Sequence, residues 1–271
     1  MTRGAMTTQP RSYLFVPGDR SERIGKARAS GADAVIVDLE DAVAPAGKTA
    51  ARDAVSNTLD AAHPVVVRIN GAETAWFGDD ARLCAHPGVA AVMLPKADST
   101  DAVAALRAAS SDKPVLALIE SAAGMANLQT LAGGGIARIV FGSIDFQLDL
   151  DIADDDLALL PFRMRLVLAS RVANLPPPVD GVTTALDDAA RIEQEARRAR
   201  SLGFGGKLCI HPKQVTIVNA AFSPSPAELD WARRIVDAAG GAGGAAVAVD
   251  GRMVDAPVLA RARRLLAAVR R

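Results

Sequence analysis

The 271-residue sequence is poor in the groups on which several site chemistries depend, with two cysteines, three histidines and 4% aromatic residues. Cys84 and Cys209 show no metal-ligand spacing and build no disulfide framework, so they read as two buried thiols in a reducing compartment. Neither a Ser/His/Asp order nor a Cys/His pair stands out, which argues against nucleophilic hydrolysis. A surplus of one charge sign is also missing. Lys plus Arg and Asp plus Glu number 31 each, leaving no basic footprint for nucleic acid and no acidic tail. No stretch approaches the roughly 20 apolar residues of a membrane span. Met1 to Pro10 lacks the apolar region of a signal peptide. The expectation is a cytoplasmic protein with no nucleic-acid or membrane partner.

Half of the residues are hydrophobic, enough for a sizeable core. The recurring unit is a short apolar run, a polar or Gly-containing turn, then an Ala/Arg-rich segment of helical period. Eight runs read as strands: Tyr13–Val16, Ala34–Asp38, Val65–Ile69, Ala91–Leu94, Val115–Ile119, Arg138–Phe141, a weak Val179–Val182 and Lys207–Ile210. Most are continuously apolar, as expected of parallel strands covered on both faces. Segments such as Ser21–Ser30, Lys48–Asp60, Thr100–Ala109 and Leu186–Leu202 suit crossover helices. Eight such units predict an α/β fold, a TIM (β/α)8 barrel, over residues 11–221. A doubly wound sheet is the alternative, but the Gly-rich fingerprint after its first strand is missing. Residues 222–271 break the rhythm and predict a C-terminal helical arm: a helix from Ala227 to Ala239, a Gly-rich stretch at 240–244, a short strand at Ala245–Val249 and a final helix from Ala256 to Arg270.

In a barrel, polar residues at the C-terminal strand ends face the active site. Those ends read Pro17-Gly18-Asp19-Arg20, Asp38-Leu39-Glu40-Asp41, Arg68-Ile69-Asn70-Gly71, Pro95-Lys96, Glu120, Gly142-Ser143-Ile144-Asp145 and His211-Pro212. Glu120 and Asp145, on adjacent strands and without a nearby soft ligand, suit Mg²⁺ or Mn²⁺ completed by water and substrate oxygens. The structural alternative is that Asp145 caps the next helix and Glu120 pairs with Arg68. Arg68 is the natural counter-charge in such a mouth, and the acids at 38, 40 and 41 gather near the cation. His63 and His86 precede prolines in loops, whereas His211 sits at a strand end, either bridging loops or touching substrate.

Taken together, the motifs "YLFVPGDR", "DAVIVDLEDAVAPAGK", "VVRING", "MLPKA", "LIESAAGM", "FGSIDF", "GFGGKLCIHPKQV", "FSPS" and "GRMVDAPVLARA" resemble the CitE-like branch of the HpcH/HpaI aldolase/citrate lyase family. The resemblance runs from about residue 11 to 269. It implies Mg²⁺ on Glu120 and Asp145, and Arg68 in the substrate site. It places Phe15, Arg20 and Lys26 along a CoA-binding groove, with Ile144, Asp145, Ile210 and His211 near the acyl group. It also implies that Asp255, on the arm, is an acid/base reaching a neighbouring subunit's site in a homotrimer. Asp149 and Asp151 add acids that the resemblance leaves unexplained.

The implied activity is a Mg²⁺-dependent carbon–carbon lyase acting on a short β-hydroxyacyl-CoA such as citramalyl-CoA, malyl-CoA or citryl-CoA. The alternatives are a class II pyruvate aldolase without CoA, against which Arg20 and Lys26 count, and a non-catalytic metabolite-binding subunit.

Overall fold

Eight short runs, rich in β-branched and other apolar residues, fold as parallel strands: Ser12–Pro17 (β1), Ala34–Asp38 (β2), Val65–Arg68 (β3), Val89–Leu94 (β4), Val115–Ile119 (β5), Arg138–Phe141 (β6), Val179–Asp180 (β7) and Gly206–Cys209 (β8). Each pairs with the next, and β1 pairs with β8, so the sheet closes into a barrel in strand order. Closure excludes the doubly wound sheet. The computed structural model describes residues 9–110, 113–153, 156–240, 247–249 and 252–269.

Because side chains alternate across a strand, one residue in two points into the barrel. Tyr13, Ile36, Val66, Met93, Leu118, Val140 and Leu208 belong to the buried cluster that fills it. Two residues further along, the same inward face carries Asp38 after Ile36, Arg68 after Val66 and Glu120 after Leu118. The pleat that builds the apolar floor therefore also delivers the ionisable layer above it.

The helices are Ile24–Ala29 (α1), Lys48–Thr58 (α2), Phe77–Leu83 (α3), Thr100–Ser110 (α4), Ala122–Ala126 (α5) and Leu128–Gly133 (α6). They continue with Ser143–Asp149 (α7), Asp156–Val172 (α8), Ala189–Leu202 (α9) and Pro212–Phe222 (α10). The helix expected over Ser21–Ser30 is divided. A 3-10 segment, Gly18–Arg23, precedes α1, and Arg20 departs from helical geometry at φ −125°, ψ 42°. Among the described residues, no helix is long and apolar enough to cross a membrane.

Between the barrel wall and its helical cover lies a buried ion network. Asp180 follows the inward Val179 and so faces outward, beside Lys207 in the β7–β8 register. Its carboxylate meets Arg163 Nε at 3.1 Å and Lys207 Nζ at 3.6 Å, and all three side chains are buried. Burial pushes the Asp180 carboxyl up, but the Lys207 and Arg163 charges outweigh it and hold the group below the usual carboxylate range.

Residues 10–219 pack as one compact unit and the chain from Ala220 onward as another. In the second, Pro226–Gly240 (α11) and Ala256–Val269 (α12) close a small core around Ala232, Ile235, Val254 and Ala262. Two strands, Val247–Val249 (β9) and Arg252–Val254 (β10), pair antiparallel. The second of them is absent from the sequence reading, because three residues are too few for alternation to register. Residues 241–246, including most of the glycine run, lie outside the described residues.

Removing the Asp180 charge takes the carboxylate from buried Arg163 and leaves Lys207 with the more distant Glu195, at 3.9 Å. Asp180→Asn is expected to destabilise the protein by about 3 kcal/mol at pH 7, read as a lower denaturant midpoint at unchanged m-value. A carboxyl held low in the folded state stabilises above its unfolded pKa and loses that contribution as pH falls. The deficit should therefore shrink below about pH 4.

Candidate active site

The β2–β3 register places Asp38 beside Arg68. Arg68 Nε donates to Asp38 Oδ1 at 2.7 Å and Nη2 donates to Oδ2 at 2.6 Å, a two-pronged pair. Nη1 donates to Asp41 Oδ2 at 3.1 Å and lies 2.8 Å from Glu40 Oε2. The guanidinium also stacks 5.0 Å from the Phe15 ring centre. Burial works against its charge, but Asp38, Glu40 and Asp41 outweigh that and raise the Arg68 pKa. Asp38 has a second task. Its two oxygens accept the backbone N–H groups of Glu40 and Ala42 at 2.9 and 3.1 Å, folding the loop after β2. Lys48, buried, holds that loop from behind by donating to the Leu39 and Glu40 carbonyls at 2.9 and 2.7 Å.

Glu120 stands at the end of β5, and Oε1 accepts the Lys96 backbone N–H at 2.7 Å. Lys96 takes a left-handed backbone, φ 44°, to aim that N–H. A side chain larger than hydrogen at position 142 would strike the Glu120 Cβ and Oε2, so Gly142 leaves the room that Glu120 occupies. Asp145 lies in the first turn of α7, whose cap is Gly142 without a side-chain hydrogen bond.

Five carboxylates, Asp38, Glu40, Asp41, Glu120 and Asp145, crowd around two cations, Arg68 and Lys96. Burial, reinforced by Glu40, pushes the Glu120 carboxyl up to about 8. Burial pushes Glu40 up to about 7, with Asp41 and Asp38 adding to the rise and Arg68 opposing it. Asp145 is raised too, first by burial and then by Asp41.

Arg68, Glu120 and Asp145 line one cavity of about 410 Å³, together with Phe15, Ile144 and Ile210. Its remaining wall is largely apolar, with Leu118, Val182 and Leu208 at the base. Of the other residues singled out in the sequence, Arg20 and Lys26 are exposed in the segment after β1, outside the cavity lining. His211 is also outside the lining, and its Nδ1 accepts the Lys213 N–H at 3.2 Å. Asp255 belongs to the C-terminal unit, where Oδ1 accepts the Val258 N–H at 3.1 Å and caps α12. The sequence reading missed the parts played by Lys48 and the Lys96 backbone. Only the "PK" after β4, a polar residue at a strand end, hinted at the second.

Among the described residues, no three His, Cys, Asp or Glu side chains form a ready metal cage. Two carboxylates with water and substrate oxygens are the donor set that fits, which is the pattern of Mg²⁺ rather than of zinc.

Comparison with known proteins agrees with the barrel fold. A family model described as HpcH/HpaI aldolase/citrate lyase matches residues 11–212. The chain is 36% identical to a citrate lyase subunit beta-like protein of Deinococcus radiodurans over 94% of this chain and 96% of that protein. It is 37% identical to a (3S)-malyl-CoA thioesterase of Cereibacter sphaeroides over 95% of this chain and 93% of the relative. It also superposes on a crystal structure of CitE from Mycobacterium tuberculosis in complex with magnesium, acetoacetate and coenzyme A. The TM-score is 0.86 at 36% identity, covering 98% and 100% of the two chains.

A carboxyl raised in the folded state stabilises below its unfolded pKa, about 4.3, and that contribution is lost as pH rises through the folded value. In EDTA-treated protein the thermal midpoint should therefore fall between about pH 5 and pH 9. Glu120→Gln should flatten that slope in differential scanning fluorimetry. An unchanged slope would mean that Glu120 does not carry the strain.

Proposed function

The chain belongs to the HpcH/HpaI aldolase/citrate lyase family, and from that premise we propose that it is a Mg²⁺-dependent carbon–carbon lyase. It cleaves or forms a short β-hydroxyacyl-CoA such as citramalyl-CoA, malyl-CoA or citryl-CoA, giving acetyl-CoA and a 2-keto acid. The observation that carries the reading is the single cavity shared by Glu120, Asp145 and Arg68 over an apolar base. The magnesium, acetoacetate and coenzyme A of the M. tuberculosis CitE structure support it by analogy.

In this reading Glu120 and Asp145 hold Mg²⁺, or Mn²⁺. When bound there, the ion supplies Lewis-acid polarisation of the substrate oxygens. The chain's own groups do the rest. Three of the five N–H donors of Arg68 go to Asp38 and Asp41. Nη1 also lies 2.8 Å from Glu40 Oε2, so one Nη2 N–H is left for the oxygen that gains charge as the carbon–carbon bond breaks. Because Asp38 fixes the guanidinium before substrate arrives, little reorganisation is left for the reaction step. The apolar base excludes water from the nascent enolate. Arg20 and Lys26, exposed after β1, meet the phosphates of CoA. Asp255 returns a proton to the acetyl-CoA carbon in cleavage, or removes it in condensation. It does so at the site of a neighbouring copy in a homotrimer.

A panel of citramalyl-, malyl- and citryl-CoA with Mg²⁺, scored separately for keto acid and for free CoA, tests the activity. Keto acid release identifies a lyase. Free CoA without keto acid identifies hydrolysis, the activity in the name of the C. sphaeroides relative. Arg68→Lys keeps the charge but loses the fork, and turnover should drop on the order of a hundredfold. Near-normal turnover would reduce Arg68 to a structural ion pair. Mixing Asp255→Ala and Glu120→Ala subunits after mild dissociation should restore activity, because some mixed sites regain both halves. No recovery after confirmed reassembly would remove Asp255 from the shared site.

A further inference from the structure

Asp149, like Asp151, is an acid that neither the sequence motifs nor the proposed chemistry absorbs. It ends α7, four residues after Asp145, so the two carboxylates share one helix face a turn apart. Its Oδ2 accepts the Ala122 backbone N–H at 2.6 Å. Ala122 opens α5, two residues after Glu120. Ser121, between them, caps the same short helix by accepting the Gly124 N–H at 3.0 Å. A closed mechanical ring results: Glu120, Ser121 and Ala122, the hydrogen bond to Asp149, one turn of α7, Asp145, and back across the shared cavity. On the opposite side Gly142, at the start of α7, gives Glu120 its room.

We propose that Asp149 is a positioning residue whose hydrogen bond to Ala122 sets the separation of Glu120 and Asp145, and thereby favours a small divalent cation over a large one. The proposal rests on the metal reading of those two carboxylates. Mg²⁺ demands near-ideal geometry at about 2.1 Å, whereas Ca²⁺ accepts about 2.3–2.6 Å with flexible coordination. A strut that holds the two oxygens close therefore matters to Mg²⁺ far more than to Ca²⁺. A simple loss of negative charge near the site would weaken both ions alike, because both carry the same charge.

The test measures binding of Mg²⁺ alone and Ca²⁺ alone, each competed against Mn²⁺ followed by electron paramagnetic resonance. In Asp149→Ala the Mg²⁺ dissociation constant should rise about tenfold, within the range seen when outer-shell partners of metal ligands are removed. The Ca²⁺ constant should rise by less than about threefold. Asp149→Asn, whose amide oxygen still accepts the N–H, should recover most of the Mg²⁺ affinity. Asp149→Ser serves in place of the alanine variant should that one fail to fold. Wild-type Mg²⁺ affinity in the alanine or serine variant overturns the proposal, and so does equal weakening of both ions. A separate control identifies failure of the underlying reading. If Glu120→Gln binds Mg²⁺ as the wild type does, Glu120 is not a ligand and the proposal falls with that premise.

Discussion

The two-pronged pair between Arg68 and Asp38 is the contact on which the mouth of the barrel depends. A guanidinium taken out of water is costly unless its donors are met, and here two adjacent strands meet it by register alone. Asp38 then spends its remaining lone pairs on the N–H groups of Glu40 and Ala42. The same carboxylate thus fixes the cation and folds the loop that brings Glu40 and Asp41 to it. Lys48 completes the enclosure through two carbonyls of that loop, with its ammonium 5.6 Å from the Trp76 ring centre. If any one of these groups is removed, the others lose either a charge partner or a backbone anchor.

What the pair stabilises is balanced by what the mouth tolerates. Lys96 holds a left-handed backbone that β-branched and bulky residues avoid, and it does so to hand an N–H to Glu120. Burial and then Glu40 push the Glu120 carboxyl up, and burial with Asp41 and Asp38 pushes up that of Glu40. Strain of this kind persists only where the surroundings over-determine it. The closed strand ladder and the apolar layer of Ile36, Val66 and Leu118 beneath supply that rigidity. A site built this way is preorganised for a cation, because the repulsion among its acids is relieved when one arrives.

Much of this was legible in the sequence for a simple reason. Strands covered on both faces are continuous apolar runs, so their ends are sharp, and Ala34–Asp38, Val115–Ile119 and Arg138–Phe141 have the expected bounds. A sharp strand end makes the next inward position readable, which is how Arg68 and Glu120 emerge. The parts not legible depend on backbone or on contacts distant in sequence. No pattern announces that Lys96 adopts positive φ, or that Lys48 reaches back to carbonyls eight and nine residues earlier. Asp149 looked like a surplus acid because its partner is a backbone N–H 27 residues away. The strand Arg252–Val254 was too short to carry a period.

The two ends of the barrel also differ in charge, and the difference bears on what the mouth attracts. At the base, Arg138 points inward in the layer below Val140. It donates to the Pro10 and Pro177 carbonyls at 3.0 and 2.8 Å and to the Tyr13 hydroxyl at 2.9 Å, with no ion pair among the described residues. Burial lowers its pKa, with Tyr13 opposing the shift. Its charge is dispersed over neutral oxygens rather than cancelled. At the mouth the acids outnumber the bases. An anionic substrate approaching that surplus would be repelled unless its carboxylate and thioester oxygens arrived against a cation. Arg68 alone cannot fill that role, because three acids already hold it. Lys96, half-exposed and 3.8 Å from Glu40, is the chain's second cation at the mouth. In the proposed reading the remaining positive charge is that of an ion at Glu120 and Asp145, the two carboxylates that Arg68 leaves free.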